Sequence, residues 1–286
     1  VIFRPLTLRD VVESLHVDQL DDGHFFAAQL DYVHHHIVGG HIAAQSLMAA
    51  SRTAPGRTPH SAHVYYLRAG DARLPVEFHV ERARDGGTLS TRRVTARQQG
   101  EVLLEALASF STDVVDDEHQ IAMPEVPDPE TLLPVEDQLR DYADELGGHW
   151  VRKQPFELRY VDPPPRLAVE RTPPSPRMRM WWRATEPVPD DSVLHSCLLT
   201  YLSGTTMLEA AIAMRGATPV GTFSALIDHA LWFHRPVALN DWVLSDQMSP
   251  SGISGRGLVT ATMYNRTGEL VCTATQELYF GGKRAT

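Results

Sequence analysis

Long stretches in the two halves of this chain repeat each other. HSAHVYYLRAGD, beginning at His60, lies over FSALIDHALWFHRP, beginning at Phe223, with Arg68 against Arg235. RRVTARQQGEVLLEALASF lies over RGLVTATMYNRTGELVCTATQEL, which sets Gly100–Glu101 on Gly268–Glu269. Upstream, VGGHIAAQSLMAA lies over LSGTTMLEAAIAM. A period this long means a duplicated domain rather than a solenoid. Each copy reads as a helix, a break and three strands, because apolar residues first recur at helical spacing and then alternate. Such a unit buries both faces best when its antiparallel sheet wraps the helix. Two copies joined edge to edge remove exposed sheet edges. The expected class is α+β, with one unit over 1–113, an acidic, proline-rich connector over 114–176 and a second unit over 177–286.

At 286 residues the chain can enclose full cores, and 43% hydrophobic with 22% charged residues is ordinary for a globular protein. A net charge of −10 argues against a general nucleic-acid binder. It leaves room for a small anionic ligand, which needs only a local basic cluster or a helix N-terminus. Cys197 and Cys272 are too few for a disulfide framework or a zinc site. No apolar run is long enough to span a membrane and the first residues lack a signal-peptide core, so a cytoplasmic protein is expected.

In chain order, residues 6–20 predict a short amphipathic helix and HFFAAQLDYV a strand. A helix follows from Gly40, ended by Pro55 and Gly56. Three alternating runs (61–68, 76–83, 89–110, the last turning at Gln98–Gly100) make a meander. A short helix is expected over 135–146, strands near Phe156 and over 178–187, and core positions for Met178, Met180, Trp181 and Trp182. Ser203 and Thr205 are candidate caps of a helix carrying Leu208, Ala211, Ile212 and Met214. On the strand after it, Leu226 and Asp228 fall on one face and His229 on the other if the alternation is unbroken.

Several residues can carry chemistry. Asp228 sits among apolar strand neighbours, where it either works chemically or simply accepts hydrogen bonds. Gln276 is the polar residue in LVCTATQELYF; it can orient a water or polarise a carbonyl, or face solvent. The glycines at Gly39–Gly40 and Gly204 can open helices whose N–H groups meet a carbonyl or phosphate, or can form tight turns. Arg84, Arg92 and Arg93 are the local cations for a polyphosphate ligand. His34, His35, His36 and His41 have no carboxylate or cysteine at a metal-ligand spacing, so no metal site is expected there. No G-x-S-x-G marks a nucleophilic serine.

The chain resembles the acyl-CoA thioesterase II (TesB-like) family of double hot-dog proteins over nearly its full length. IVGGHIAAQ, HSAHVYYLRAGD, RDGGTLSTRRV, VPDD, LTYLSG, LIDHALWFHRPVALNDWVL and GELVCTATQE carry the resemblance, in order. It implies hydrolysis of fatty acyl-CoA to free acid and CoA with no metal or other cofactor. An Asp, a Ser or Thr and a Gln would activate water while a helix N-terminus polarises the thioester carbonyl. Arginines would meet the CoA phosphates. One chain already holds a pair of hot-dog units, so assembly into a homo-oligomer, dimer or higher, would join whole chains.

By the same resemblance, the family's Asp position is Gly204, its Thr/Ser position is Leu226, and Gln276 is retained; GGQ reads Gly39, Gly40, His41. Each lost contribution is typically worth ~10²–10⁴ in rate. Asp228, Thr205, Thr206 and His41 are the candidate replacements. Two alternatives stay open: a pseudoenzyme that holds acyl-CoA without hydrolysing it, and a hydratase using Asp31 and His36, whose spacing matches that of hot-dog enoyl hydratases without their Asn-Pro.

Overall fold

Strong alternation in the sequence becomes one twelve-stranded antiparallel sheet. The computed structural model describes residues 6–30, 35–115, 117–218 and 223–281. The N-terminal strands are β1 (Asp18–Asp21), β2 (His24–Ala27), β3 (Thr58–Tyr66), β4 (Val76–Asp85), β5 (Leu89–Gln98) and β6 (Glu101–Ser111). The C-terminal ones are β7 (Phe156–Tyr160), β8 (Arg177–Ala184), β9 (Ala225–Phe233), β10 (Val243–Ile253), β11 (Arg256–Asn265) and β12 (Leu270–Tyr279). Their order is β1-β2-β4-β5-β6-β3-β9-β12-β11-β10-β8-β7, so the second half mirrors the first across the β3–β9 seam. The seam pairs Ser61 with Trp232, His63 with Ala230 and Tyr65 with Asp228.

Corresponding hairpins turn on corresponding residues. Gly100 and Gly268 both take left-handed φ values (83° and 90°), which a side chain would strain. Arg68 donates to Val102 O, and Arg235 donates to Leu270 O at the matching place. β7 lies within the stretch expected as connector and is the outermost strand beside β8. The stretch before it runs over Trp181, Trp242 and Tyr264, with Met123, Val126 and Leu132 packed on that cluster. Trp181 Nε1 donates to Pro127 O and Trp242 Nε1 to Glu130 Oε1. Met178, Met180, Trp181 and Trp182 are buried, as expected.

Beneath the sheet lie α2 (Gly39–Arg52) and α5 (Ser192–Thr206), which is followed by α6 (Leu208–Ala213). Both long helices are buried nearly all round, as helices wrapped by a sheet must be. They cross through glycines: a Cβ on Gly204 would lie 2.5 Å from Gly40 Cα, and one on Gly40 2.5 Å from Tyr201 O. α1 (Leu8–Ser14) is shorter than expected; a Thr7–Asp10 capping box opens it, and Leu20 lies exposed in β1. The helix expected over 135–146 is a single turn, α3 (Val135–Gln138), followed by 3₁₀ turns to Val151. Another single turn, α4 (Pro165–Ala168), precedes β8.

The helix expected to open near Ser203 opens earlier. The Asp191 carboxylate accepts from the Val193 and Leu194 N–H groups and starts α5. Ser203 and Thr205 are therefore in its last turns and cap nothing. Thr205 Oγ1 donates back to Tyr201 O and Leu202 O, and Thr206 Oγ1 to Leu202 O. No helix among the described residues is long and apolar enough to cross a membrane.

Candidate active site

A β-bulge decides which residues of β9 reach the interior. Glu277 of β12 pairs with Asp228 and Leu278 with Leu226, so Ile227 is the extra residue and the alternation shifts by one. Leu226 then points inward with His229. Leu226 packs on the core, its Cδ1 2.5 Å from where a Cβ on Gly39 would lie. Asp228 faces away, opposite Tyr65 at the seam, and its Oδ1 accepts from the Glu277 N–H at 3.0 Å. Partial burial pushes its carboxyl above the usual carboxylate range, and the Glu277 N–H pulls it back. The expectation that Leu226 and Asp228 share a face fails on this bulge, which alternation alone does not reveal.

His229 and Gln276 are directly opposed on β9 and β12, and both are wholly buried. The Gln276 amide oxygen and nitrogen and the His229 Nδ1 meet no hydrogen-bonding group among the described residues. Ser203 Oγ donates to Thr200 O and lies 3.2 Å from His229 Nε2. With its proton on that carbonyl the hydroxyl accepts from Nε2–H, which assigns the lone pair to Nδ1. Nδ1 lies 3.5 Å from where a Cβ on Gly204 would be. Burial drives the imidazole down to about 3, so it is neutral at ordinary pH. A neutral imidazole with a free lone pair is thus turned toward the glycine at the α2–α5 crossing, and the free amide of Gln276 lies opposite it on the next strand.

The start of α2 borders this place. Tyr66 Oη donates to Gly39 O (3.1 Å), and no side chain caps the helix. The turn's first internal bond runs from the His41 N–H to Val38 O, which leaves the Gly39 and Gly40 N–H groups as helix-start donors. Gly204, by contrast, is inside α5 and opens nothing. His41 is buried and neutral, held down to about 3 by desolvation; its Nε2 is committed to Ser14 Oγ of α1 and its Nδ1 is unpartnered among the described residues.

The three arginines do not form one cluster. Arg92, only 2% exposed, spends its guanidinium on Thr53 Oγ1, Thr53 O, Arg84 O, Thr91 O and Asp85, tying the end of α2 to the β4–β5 hairpin. It has no donor left for a phosphate, so that expectation is corrected. Arg93 is exposed near Glu81 (3.5 Å), and Arg84 is exposed. A cleft of about 1020 Å³, with Arg152, Lys153 and Arg183 on its wall, lies near β7, β8 and Thr7. Asp31 and His34 lie outside the described residues. His36 is exposed and bridges to Asp71, apart from Gln276.

Sequence reasoning missed His229, Ser203 and Tyr66. The only signal was a histidine inside an apolar strand beside Asp228, and an unbroken alternation assigned it to the wrong face.

Known proteins match this arrangement along the chain. The family profile described as acyl-CoA thioesterase matches residues 154–279, and that of the acyl-CoA thioesterase N-terminal domain matches 27–111. Human acyl-coenzyme A thioesterase 8 is 33% identical, over 96% of this chain and 90% of its own. The solved structure of a TesB protein from Mycobacterium avium subsp. paratuberculosis is 43% identical with a TM-score of 0.81, covering 96% of this chain and all of that one. A hot-dog-fold protein from Alicyclobacillus acidocaldarius, at 18% identity and a TM-score of 0.77 over 95% of this chain and 98% of its own, shares the fold. The repeat, the helix-wrapping double hot-dog sheet and these full-length matches together show that the chain belongs to the acyl-CoA thioesterase family of thioester hydrolases.

Proposed function

We propose that the chain hydrolyses fatty acyl-CoA to free acid and CoA, with Gln276 and His229 holding the attacking water. One observation carries this reading: opposed across two strands, a buried amide and a buried imidazole leave three polar atoms without a partner among the described residues. Each unmet buried group costs roughly 1–3 kcal/mol. A fold keeps such groups together when something else satisfies them, and a water or thioester oxygen does so here.

In this mechanism the Gln276 amide orients the water and His229 Nδ1 takes its proton as oxygen attacks the thioester carbon. Ser203 fixes the imidazole through Nε2. The Gly39 and Gly40 N–H groups, at the positive end of α2, receive the developing oxyanion. Collapse expels CoA thiolate, which takes up the proton. His229 thus stands next to the place from which the family carboxylate is missing. An imidazole held at about 3 is a weak base, so modest turnover is expected. Arg84 and Arg93 remain the exposed cations for the CoA phosphates.

A second reading, binding without turnover, is favoured by one observation: Asp228 is turned away from Gln276 by the bulge. Thiol release from short- to long-chain acyl-CoAs separates the two. Turnover by the wild type that falls at least about 100-fold in Gln276→Ala and also falls in His229→Gln supports hydrolysis at this pair. Acyl-CoA bound with no thiol released supports the binding reading.

A further inference from the structure

At the far edge of the sheet, remote in sequence from Gln276, three potential ligands converge. His24 of β2 and His79 of β4 are direct cross-strand partners, and their rings stack with centroids 4.0 Å apart. Glu77, two residues before His79, projects from the same face of β4. Its Oε2 lies 3.7 Å from His24 Nε2 and 3.9 Å from His79 Nε2. We propose that His24, His79 and Glu77 form a binding site for a divalent transition metal of the zinc class.

Geometry is the first argument. At the usual zinc–nitrogen and zinc–oxygen lengths of about 2.0–2.2 Å, ligand atoms around a tetrahedral ion stand roughly 3.3–3.5 Å apart. The two separations from Glu77 Oε2 exceed this by a few tenths of an ångström, and because stacked rings aim their lone pairs side by side, one imidazole turns out of the stack when both bind one ion. Two imidazoles and a carboxylate suit zinc, and three protein ligands leave a position open for water.

The surroundings are the second argument. His24 Nε2 is buried and meets no hydrogen-bonding group among the described residues. Its Nδ1 lies 3.7 Å from Asp21 Oδ2, beyond hydrogen-bond distance, so that carboxylate adds negative charge beside the pair of rings. Among the nearby cations, Arg82 pairs with Asp22 and Arg93 lies 3.5 Å from Glu81, while Arg97, across from Glu77, keeps its charge and donates to Gly100 O. Asp21, His24 and His79 line one cleft of about 410 Å³, so an ion has a way in. Sequence spacing could not show this site, because its ligands come from strands far apart in the chain. Bound there, an ion would tie β2 to β4, next to the four-residue edge strand β1.

Equilibrium dialysis of the full chain against Zn²⁺ tests the proposal. The wild type is expected to retain one ion per chain at this site. His24→Gln or His79→Gln is expected to weaken retention at least about tenfold, since even outer-shell partners are worth roughly 10–100-fold. A variant with glutamine at His34, His35 and His36 should retain the ion, and thiol release by the His79→Gln variant should match wild type, which shows that it folds. No retention by the wild type, or retention unchanged in both single histidine variants, overturns the proposal.

Discussion

A buried glutamine whose amide meets no hydrogen-bonding group among the described residues is suited to a transient partner, and Gln276 is such a residue. Its neighbours settle what kind of chemistry it can serve. His229 offers a lone pair, Ser203 holds the ring, and the carboxylate of Asp228 is on the other side of the strand, bonded to the Glu277 N–H. Asp228→Asn is therefore expected to change turnover less than about threefold, whereas Gln276→Ala should cost about 10²–10³ in kcat. Equal losses from the two substitutions in a thiol-release assay would reject the assignment. The pH profile makes a second, independent test. His229 stays neutral because burial holds it at about 3, so kcat should show no imidazole inflection between pH 5 and 8. A half-maximal point near 6.5 would mean that an exposed, ordinary histidine is the base. At the other end of α2, Arg92→Ala removes a guanidinium that satisfies three backbone carbonyls and the Thr53 hydroxyl. A loss of about 2–3 kcal/mol in denaturant unfolding is expected, while Arg84→Ala, on the surface, should leave stability unchanged and raise KM.

Between elements, the tightest constraint is the crossing of α2 and α5 at Gly40 and Gly204. Gly204→Ala inserts a methyl 2.5 Å from a backbone Cα that cannot swing aside. Overpacking of this kind costs about 1–3 kcal/mol, against about 1 kcal/mol gained in helix propensity. The expected result is a lowered Tm. A raised Tm would show that the helices can separate at no cost. The same crossing shows what was legible beforehand. Strand pairs β5–β6 and β11–β12, their glycine turns and the mirrored order all follow from two copies of one alternating pattern, because alternation directly encodes burial in a sheet. α5 was misplaced for a physical reason: His195, Ser196, Cys197, Thr200 and Ser203 are buried along with Leu194, Leu198, Leu199 and Leu202, so no solvent-facing polar stripe marks it as a surface helix. The active-site geometry was less legible still. Gln276 stood out as a polar residue in an apolar strand, but a single extra residue at Ile227 decides whether Asp228 or His229 joins it. Nothing in the local composition announces that insertion.

For the molecule as a whole, a few buried ionisable groups set how stability varies with pH. His41 and His229 are held down to about 3 in the fold, against an ordinary 6.5 when unfolded. Between those values the unfolded chain binds more protons at these two sites, so stability rises with pH up to about 6.5. Glu209 of α6 acts in the opposite sense. Desolvation pushes its carboxyl up to about 8, although Tyr160 Oη donates to it at 2.8 Å and pulls the other way. From its ordinary 4.5 up to about 8 the native state holds a proton that the unfolded state has lost, and stability falls as pH rises. Each such proton difference is worth up to about 1.4 kcal/mol per pH unit. Below 6.5 two imidazoles outweigh one carboxyl, and above it Glu209 acts against no buried imidazole. Maximum stability is therefore expected near pH 6.5, with a decline toward pH 8. Glu209→Gln keeps an uncharged side chain at all pH values and should abolish the decline and steepen the rise between pH 4.5 and 6.5. Tm measured from pH 4 to 9 in both proteins checks this. A wild-type decline that survives unchanged in Glu209→Gln would mean that other groups control the alkaline side.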